Sequence, residues 1–205
     1  MSLDRLVVPP KTGREKFRLD AQDLDFDLLS FWRWSASDLL SNTTRGVLAE
    51  YLVARALGLP PDAVRSERAA HGFHTEDGIR VGVKSAAYLQ SWQQRQLSQI
   101  SFVAPRRQLW DTDSLRPERA ARQVDVHVFA LLSHQDKSTV EPMVIDQWSF
   151  FVVASRILEQ RTRSQYSITL PSLARLSGPP VHYRHLREAV AAAARQQAPP
   201  PPAEP

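Results

Sequence analysis

The sequence predicts a mixed α/β or α+β domain in which helices cover the faces of one central sheet. Three observations predict it: a helix with clear start and stop signals near residue 42, a β-hairpin after it, and two strongly apolar segments later in the chain. At 205 residues the chain is long enough for one hydrophobic core and short for two. We therefore expect a flexible N-terminal segment (1–18), a single domain (19–197) and a disordered proline-rich tail (198–205).

A helix is predicted from residue 42 or 43 to residue 57, because a capping residue opens it and Gly58 closes it. Glu50 falls on a stripe of this helix whose other members are Val47, Ala54 and Leu57. A carboxylate that faces inward needs a partner. Arg45 and Arg55 are expected to face solvent.

Two extended segments between residues 63 and 88 are separated by the tripeptide Glu-Asp-Gly at 76–78. A three-residue loop with glycine in the left-handed conformation is typical of a β-hairpin. If the segments pair about this loop, Gly72 lies opposite Gly82, and both share a face with Lys84.

Apolar periodicity predicts the remaining elements. They are a short helix within 23–34, a helix over 89–98, a strand over 100–104, core strands over 124–132 and 148–154, a short strand over 166–170 and an amphipathic helix over 183–196. The segment 105–123 is rich in arginine and has no steady apolar period, so we expect a long functional or mobile loop there.

Composition favours a nucleic-acid partner. The net charge is +4, and the excess comes from arginine, whose planar fork suits phosphate oxygens. Arginine enrichment from a high-GC genome is the alternative. With no cysteine, disulfides and thiolate metal sites are excluded. No apolar run suits a signal peptide or a membrane span, so we expect a cytoplasmic protein without a membrane partner.

Residues 81–92 read VGVKSAAYLQSW and follow the predicted hairpin. This stretch resembles one bacterial branch of the PD-(D/E)XK (restriction-endonuclease-like) nuclease superfamily, in which the corresponding strand reads IEVKSAAYLQSW. Segments 124–153 and 161–173 also resemble this branch, so the resemblance covers most of residues 45–190. It implies a restriction-endonuclease-like core, with a central mixed sheet flanked by helices.

The resembled family holds Mg²⁺ with a helical Glu, an Asp on one hairpin strand and a Glu-x-Lys on the other. Carried over, the helical Glu is Glu50 and the Lys is Lys84, but Gly72 and Gly82 stand at the two other acidic positions. Glu50 and the backbone carbonyl of Val83 would remain as metal ligands. Since Mg²⁺ needs several oxygen ligands, the resemblance implies weak or absent metal binding and lost or weak catalysis.

Three other acids are candidates for a recruited ligand. Glu76 and Asp77 fall in the predicted turn, where such residues are common for conformational reasons, and that interpretation is favoured. Glu67 falls on the opposite face from Gly72 unless a bulge intervenes. Without a metal, Glu50 and Lys84 could form a partly buried ion pair, which is slightly favoured over a catalytic role.

Two patterns that contain histidine are candidates for a metal site. His71 and His74 point to opposite faces of a strand, which disfavours a shared metal. Asp125 and His127 share a face, and a buried hydrogen-bonded pair is the commoner explanation.

The candidate DNA contacts follow the Lys strand, where related nucleases offer polar side chains to the phosphate backbone. They are Gln90, Ser91, Gln93 and Arg95, with Arg106 and Arg107 of the arginine-rich loop as an electrostatic guide. The alternatives are a solvated helix face with Trp92 in the core, and a loop that is charged only for solubility.

Three functions are therefore carried forward. The leading hypothesis is a nuclease-fold DNA-binding protein with degenerate catalysis. The alternatives are an active Mg²⁺-dependent nuclease using Glu50, Lys84 and a recruited acid, and a non-enzymatic interaction module of a defence or mobile-element system. The resembled family often pairs as dimers, so a homodimer is possible, although the sequence identifies no interface.

Overall fold

A four-stranded mixed sheet forms the centre of the computed structural model, which describes residues 6–65, 72–103, 109–110, 117–118, 124–160 and 167–197. In chain order the elements are β1 (Lys16–Leu19), β2 (Gln22–Asp27), α1 (Leu28–Ala36), α2 (Asn42–Ala56), β3 (Phe73–His74), β4 (Arg80–Ala87), β5 (Ser101–Val103), β6 (Leu109–Trp110), β7 (Pro117–Glu118), β8 (Val126–Leu132), β9 (Trp148–Ala154), α3 (Ser155–Glu159), β10 (Ser167–Thr169), α4 (Leu170–Ser177) and α5 (Leu186–Gln197).

The sheet has the strand order β3-β4-β8-β9. Strands β4 and β8 are parallel, while β3 pairs with β4, and β9 with β8, in antiparallel fashion. Helices flank this sheet, so the predicted fold class is confirmed. The central strand β8 is buried at all seven positions, as expected for a strand covered on both faces.

Successive residues of β4 and β8 alternate between two apolar clusters. On the first face, α2 and α5 pack against side chains that include Val81, Val126 and Val128. We call this the α2 face. On the second, β5, β10 and α4 pack against side chains that include Phe129 and Phe151. We call this the α4 face.

Helix α2 has the predicted extent, but the face that it buries is not the predicted one. Ser41 is the N-cap, and Gly58, with φ +86°, follows the C-terminus. The buried residues are Arg45, Ala49, Leu52 and Val53, and Val47 is exposed. The predicted stripe is therefore rotated, and the expectation that Arg45 faces solvent is wrong. Arg55 is exposed, as predicted.

The hairpin loop at 76–78 is confirmed. The backbone N–H of Thr75 donates to the carbonyl of Ile79 at 3.0 Å, and Gly78 has φ +78°. Phe73 pairs with Val81, which is the predicted register. The ladder ends at Phe73, however, so β3 is much shorter than the segment that was predicted to be extended.

Some of the other predicted helices and strands are confirmed and some are wrong. The strands near 101, 126, 148 and 167 and the final helix are confirmed. The helix over 89–98 is wrong, because that stretch is a loop. Residues 22–27 are a strand before α1, and β1 begins within the segment 1–18 that was expected to be flexible.

Helix α4 was missed, although Pro171 in its first turn and Gly178 at its end, with φ +75°, are recognisable boundary residues. Most of 105–123 and all of 198–205 lie outside the described residues. In the part of the chain that the structure describes, no helix is long and apolar enough to cross a membrane.

Candidate functional site

Helix α2 brings the Glu50 carboxylate to the first strand of the hairpin. The Glu50 side chain is 15% exposed. A Cβ atom at Gly72 would lie 3.3 Å from Glu50 Oε1 and 2.9 Å from the carbonyl oxygen of Val81. Positions 50 and 72, where the resembled family has Glu and Asp, are therefore neighbours. The close approach of the Val81 carbonyl also explains why a residue without a side chain fits at Gly72.

The partner of the inward-facing carboxylate is Arg65. Its Nε donates to Glu50 Oε2 at 2.9 Å, and its side chain is 42% exposed. The guanidinium neutralises the Glu50 charge at the place where the resembled family has a cation. Lys84 was the expected partner, and Arg65 was not predicted, because it lies fifteen residues after Glu50 in a segment without apolar periodicity.

Gly82 has different surroundings from Gly72. A Cβ atom at Gly82 would lie 3.1 Å and 3.3 Å from the two methyl groups of Val124 and 3.4 Å from Nδ1 of His127. The expectation that both glycines face one site is wrong, because Gly72 precedes β3 and lies outside the ladder, so the strict alternation of a strand does not extend to it.

Lys84 is exposed and lies opposite Phe129 in the β4–β8 ladder. It therefore belongs to the α4 face, together with Gly82, while Val83 packs on the α2 face. The structure brings Glu50 to Gly72 on one side and places Gly82 near Lys84 on the other. The predicted roles of Glu50 and Lys84 in catalysis, and of Glu50 and Val83 in metal binding, stay predictions.

The oxygen atoms beside Glu50 do not fit a divalent cation. Among the described residues they are one carboxylate, already paired with Arg65, and the Val81 carbonyl, whereas Mg²⁺ and Ca²⁺ favour sets of six or more oxygens with several carboxylates. Among the described residues, no group of three or more His, Cys, Asp or Glu side chains could hold a metal. Glu76 and Asp77 are exposed in the hairpin loop, and Glu67 and His71 lie outside the described residues.

The loop from Tyr88 to Ser98 follows β4 and is closed by its own hydrogen bonds. The backbone N–H of Ser98 donates to the Tyr88 carbonyl at 2.9 Å. The Gln94 amide accepts from the backbone N–H of Gln90 at 2.7 Å and donates to the Tyr88 carbonyl at 3.2 Å and to Ser98 Oγ at 3.1 Å. Because Gln94 satisfies backbone groups that a helix would pair internally, this stretch forms a loop instead.

Of the candidate DNA contacts that the structure describes, one is buried and three are exposed. Gln90 is buried, and its amide accepts from Arg45 at 3.4 Å and donates to the Ala87 carbonyl at 3.4 Å, so it is engaged inside the protein. The exposed candidates are Ser91, Gln93 and Arg95. Arg106 and Arg107 lie outside the described residues.

Trp92 is exposed, so its alternative placement in the core is wrong. Its carbonyl accepts a hydrogen bond of 2.6 Å from the Lys137 ammonium. Lys137 is therefore a second exposed cation beside this loop, and the sequence analysis did not single it out. It lies 45 residues away along the chain, and only tertiary folding brings it here.

Arg45 joins α2 to the loop. It is 3% exposed and donates to the Leu40 carbonyl at 2.8 Å and to Asn42 Oδ1 at 2.7 Å, while its Nε has no hydrogen-bond partner. Burial lowers the pKa of the guanidinium from its usual value, and the described ion pairs do not include Arg45. Hydrogen bonds to neutral oxygens compensate this buried charge.

Asp125 binds Arg80 with both carboxylate oxygens. It accepts from the backbone N–H of Arg80 at 2.9 Å, from Nε at 3.0 Å and from Nη2 at 2.6 Å. This hydrogen bonding raises the pKa of Arg80. His127 is buried on the α4 face and its ring stacks on Phe129 at 6.0 Å. The pair of Asp125 with Arg80 connects β4 to the start of β8.

A scan against protein-family models finds no match to this chain, and a search of curated proteins finds none either. The likeness to the PD-(D/E)XK nucleases therefore stays a resemblance of residues 45–190. The features of this chain that bear on its function are Glu50, the hairpin and the loop from Tyr88 to Ser98.

Proposed function

We propose that this chain is a nuclease-fold DNA-binding protein, related to metal-dependent DNA endonucleases, in which cleavage is absent or much reduced. The observation that carries the proposal is the contact between Glu50 on α2 and the Gly72 position of the hairpin. The resembled family places a metal-binding Glu and Asp at these two positions. In this chain the pair is a glutamate and a glycine.

Loss of cleavage follows from the chemistry of these groups. Hydrolysis of a phosphodiester by this family needs a divalent cation that neutralises the phosphate and activates water. Gly72 supplies no side-chain oxygen beside Glu50, Gly82 supplies none on the α4 face beside Lys84, and the Glu50 carboxylate is paired with Arg65. A cation at Glu50 would have to displace the Arg65 guanidinium and, from the residues that the structure describes, would gain this one carboxylate in return.

DNA binding is supported by the loop from Tyr88 to Ser98. Gln93 and Arg95 expose an amide and a guanidinium, which suit phosphate oxygens. The exposed Trp92 offers an aromatic face on which an unpaired base can stack, and Lys137 adds a second cation beside it. Internal hydrogen bonds hold the loop backbone, so these groups are positioned before DNA arrives.

Fluorescence anisotropy with labelled single-stranded and duplex DNA tests the binding. Arg95→Ala combined with Lys137→Ala should weaken binding to all sequences and reduce the magnitude of the slope of log K against log salt by about 1.4 to 1.8, because each phosphate contact contributes about 0.7 to 0.9. Arg184→Ala with Arg195→Ala removes two exposed cations elsewhere and is the matched control, which should leave the slope unchanged.

Two results would contradict the proposal. Absence of salt-dependent DNA binding would favour a protein-interaction module instead. Robust cutting of plasmid or single-stranded DNA with Mg²⁺ or Mn²⁺, abolished by Lys84→Ala, would show that catalysis is retained. Calorimetric titration with Mn²⁺ distinguishes a degenerate site from a functional metal site. A site with one paired carboxylate should show no Mn²⁺ binding below about millimolar concentration.

A further inference from the structure

The N-terminal unit, residues 11–36, exposes most of its apolar side chains. Between residues 6 and 38 the one buried residue is Gly13. Seven large apolar residues of the unit are between 39% and 85% exposed: Phe17, Leu19, Phe26, Leu29, Phe31, Trp32 and Trp34. The elements of the unit pack on one another, and α1 contains no buried residue. This region therefore has a defined backbone without a core of its own.

Local interactions specify the geometry of the unit. The rings of Phe17 and Phe26 lie 4.9 Å apart across the hairpin. Asp27 and Ser30 form a reciprocal capping box at the start of α1. The Leu29 backbone N–H donates to the Gly13 carbonyl at 2.8 Å. A two-stranded hairpin and a nine-residue helix are nevertheless marginal alone in water, so a stable unit requires a cover over its apolar side chains.

The charges of the unit favour a protein over DNA as that cover. Residues 11–36 contain five basic and five acidic side chains, so their net charge is zero. Arg18 pairs with Asp23 at 2.8 Å and Lys16 with Asp27 at 3.9 Å, and the three remaining basic residues are matched in number by three remaining acidic ones, so the unit has no excess of positive charge to attract phosphates. A neutral surface rich in Phe and Trp is instead typical of the centre of a protein interface.

The exposed area matches a second copy of the chain. Aromatic side chains bury roughly 150 to 250 Å² each, so the exposed fractions above correspond to about 650 Å² of apolar surface per chain. One side of a standard interface buries about 800 Å², of which roughly 60% is apolar. We propose that the N-terminal units of two copies pack against each other in a twofold-symmetric dimer, since a surface that is apolar and has no net charge can be used by both partners.

Analytical ultracentrifugation of the full chain tests this proposal. The wild type should be dimeric in the range from low micromolar to about 100 µM. Phe31→Ser with Trp34→Ser should weaken dimerisation by at least about 100-fold, because exposed interface aromatics contribute much of the binding energy. Tyr51→Ser with Met143→Ser removes two exposed apolar side chains elsewhere and should leave the dimer intact.

A cross-linking experiment tests the same dimer independently, in case the double serine variant does not fold. The chain contains no cysteine, so Ser35→Cys introduces one thiol on α1 and Ser138→Cys introduces one far along the chain as a control. A short bis-maleimide should link the Ser35→Cys chains into dimers and leave the control unlinked. A monomeric wild type, a dimer that survives the serine changes with its fold intact, or equal linking of both cysteine variants would overturn the proposal.

Discussion

Gly72→Asp places a second carboxylate beside Glu50. The new Cβ would lie 3.3 Å from Glu50 Oε1, so the two carboxylates would be within about 4 to 5 Å of each other. Two like charges at about 4 Å repel by about 4 kcal/mol at an effective dielectric constant near 20. Arg65 neutralises part of this repulsion, so we expect a loss of about 2 kcal/mol at neutral pH, or about 4 to 8 °C in Tm for a domain of this size.

Gly72→Asn is the matched control. It introduces the same close contact with the Val81 carbonyl, at 2.9 Å, but no charge, so the difference between the Asp and Asn variants isolates the electrostatic effect. Thermal unfolding measures it against pH. Repulsion raises the pKa of one carboxyl in the folded state above its unfolded value, so the difference should be absent in acid and should grow as pH rises. Mn²⁺ should stabilise the Asp variant and not the Asn variant.

Equal Tm values for the two variants at neutral pH, with no response of either to Mn²⁺, would refute the reasoning. That outcome would mean that position 72 is not beside Glu50 in the folded protein. The proposal that the metal site has been lost at this pair of positions would then fail with it.

Three further changes test the structure around the site. Arg45→Ala should lower the free energy of unfolding, measured in urea, by about 3 kcal/mol, because buried acceptors lose their donors. Arg45→Met should lower it by less, since methionine keeps the apolar part of the side chain and removes a buried charge. Equal losses for the two variants would contradict this reasoning. Asp125→Ala should cost about 1 to 2 kcal/mol in thermal unfolding, because the hydrogen bonds from a partly exposed Arg80 are lost; an unchanged Tm would count against it. Gly82→Glu should destabilise the chain through contact with Val124 and recover Tm when Val124→Ala is added, and no recovery would argue against that contact.

Much of the fold follows from local chemistry in the sequence. The run at 148–154 is apolar over a strand's length, and β9 has the bounds predicted for it. The hairpin loop was predicted because Gly78 can adopt the positive φ that the turn requires. The extent of α2 was predicted from its boundary residues. In each case the deciding interaction lies within a few residues of the element.

The tertiary structure decided which residues, distant along the chain, interact with the charged side chains of α2. The sequence identified Glu50 as an inward-facing carboxylate, but its pairing with Arg65 depends on a tertiary contact between α2 and a residue that follows it in the chain. Arg45 is buried because Leu40, Asn42 and Gln90 offer oxygens to its guanidinium, and no periodicity within α2 encodes these acceptors. Periodicity, caps and turn residues act over one or two turns of chain, whereas the compensation of a buried charge depends on groups that only the packed fold brings together.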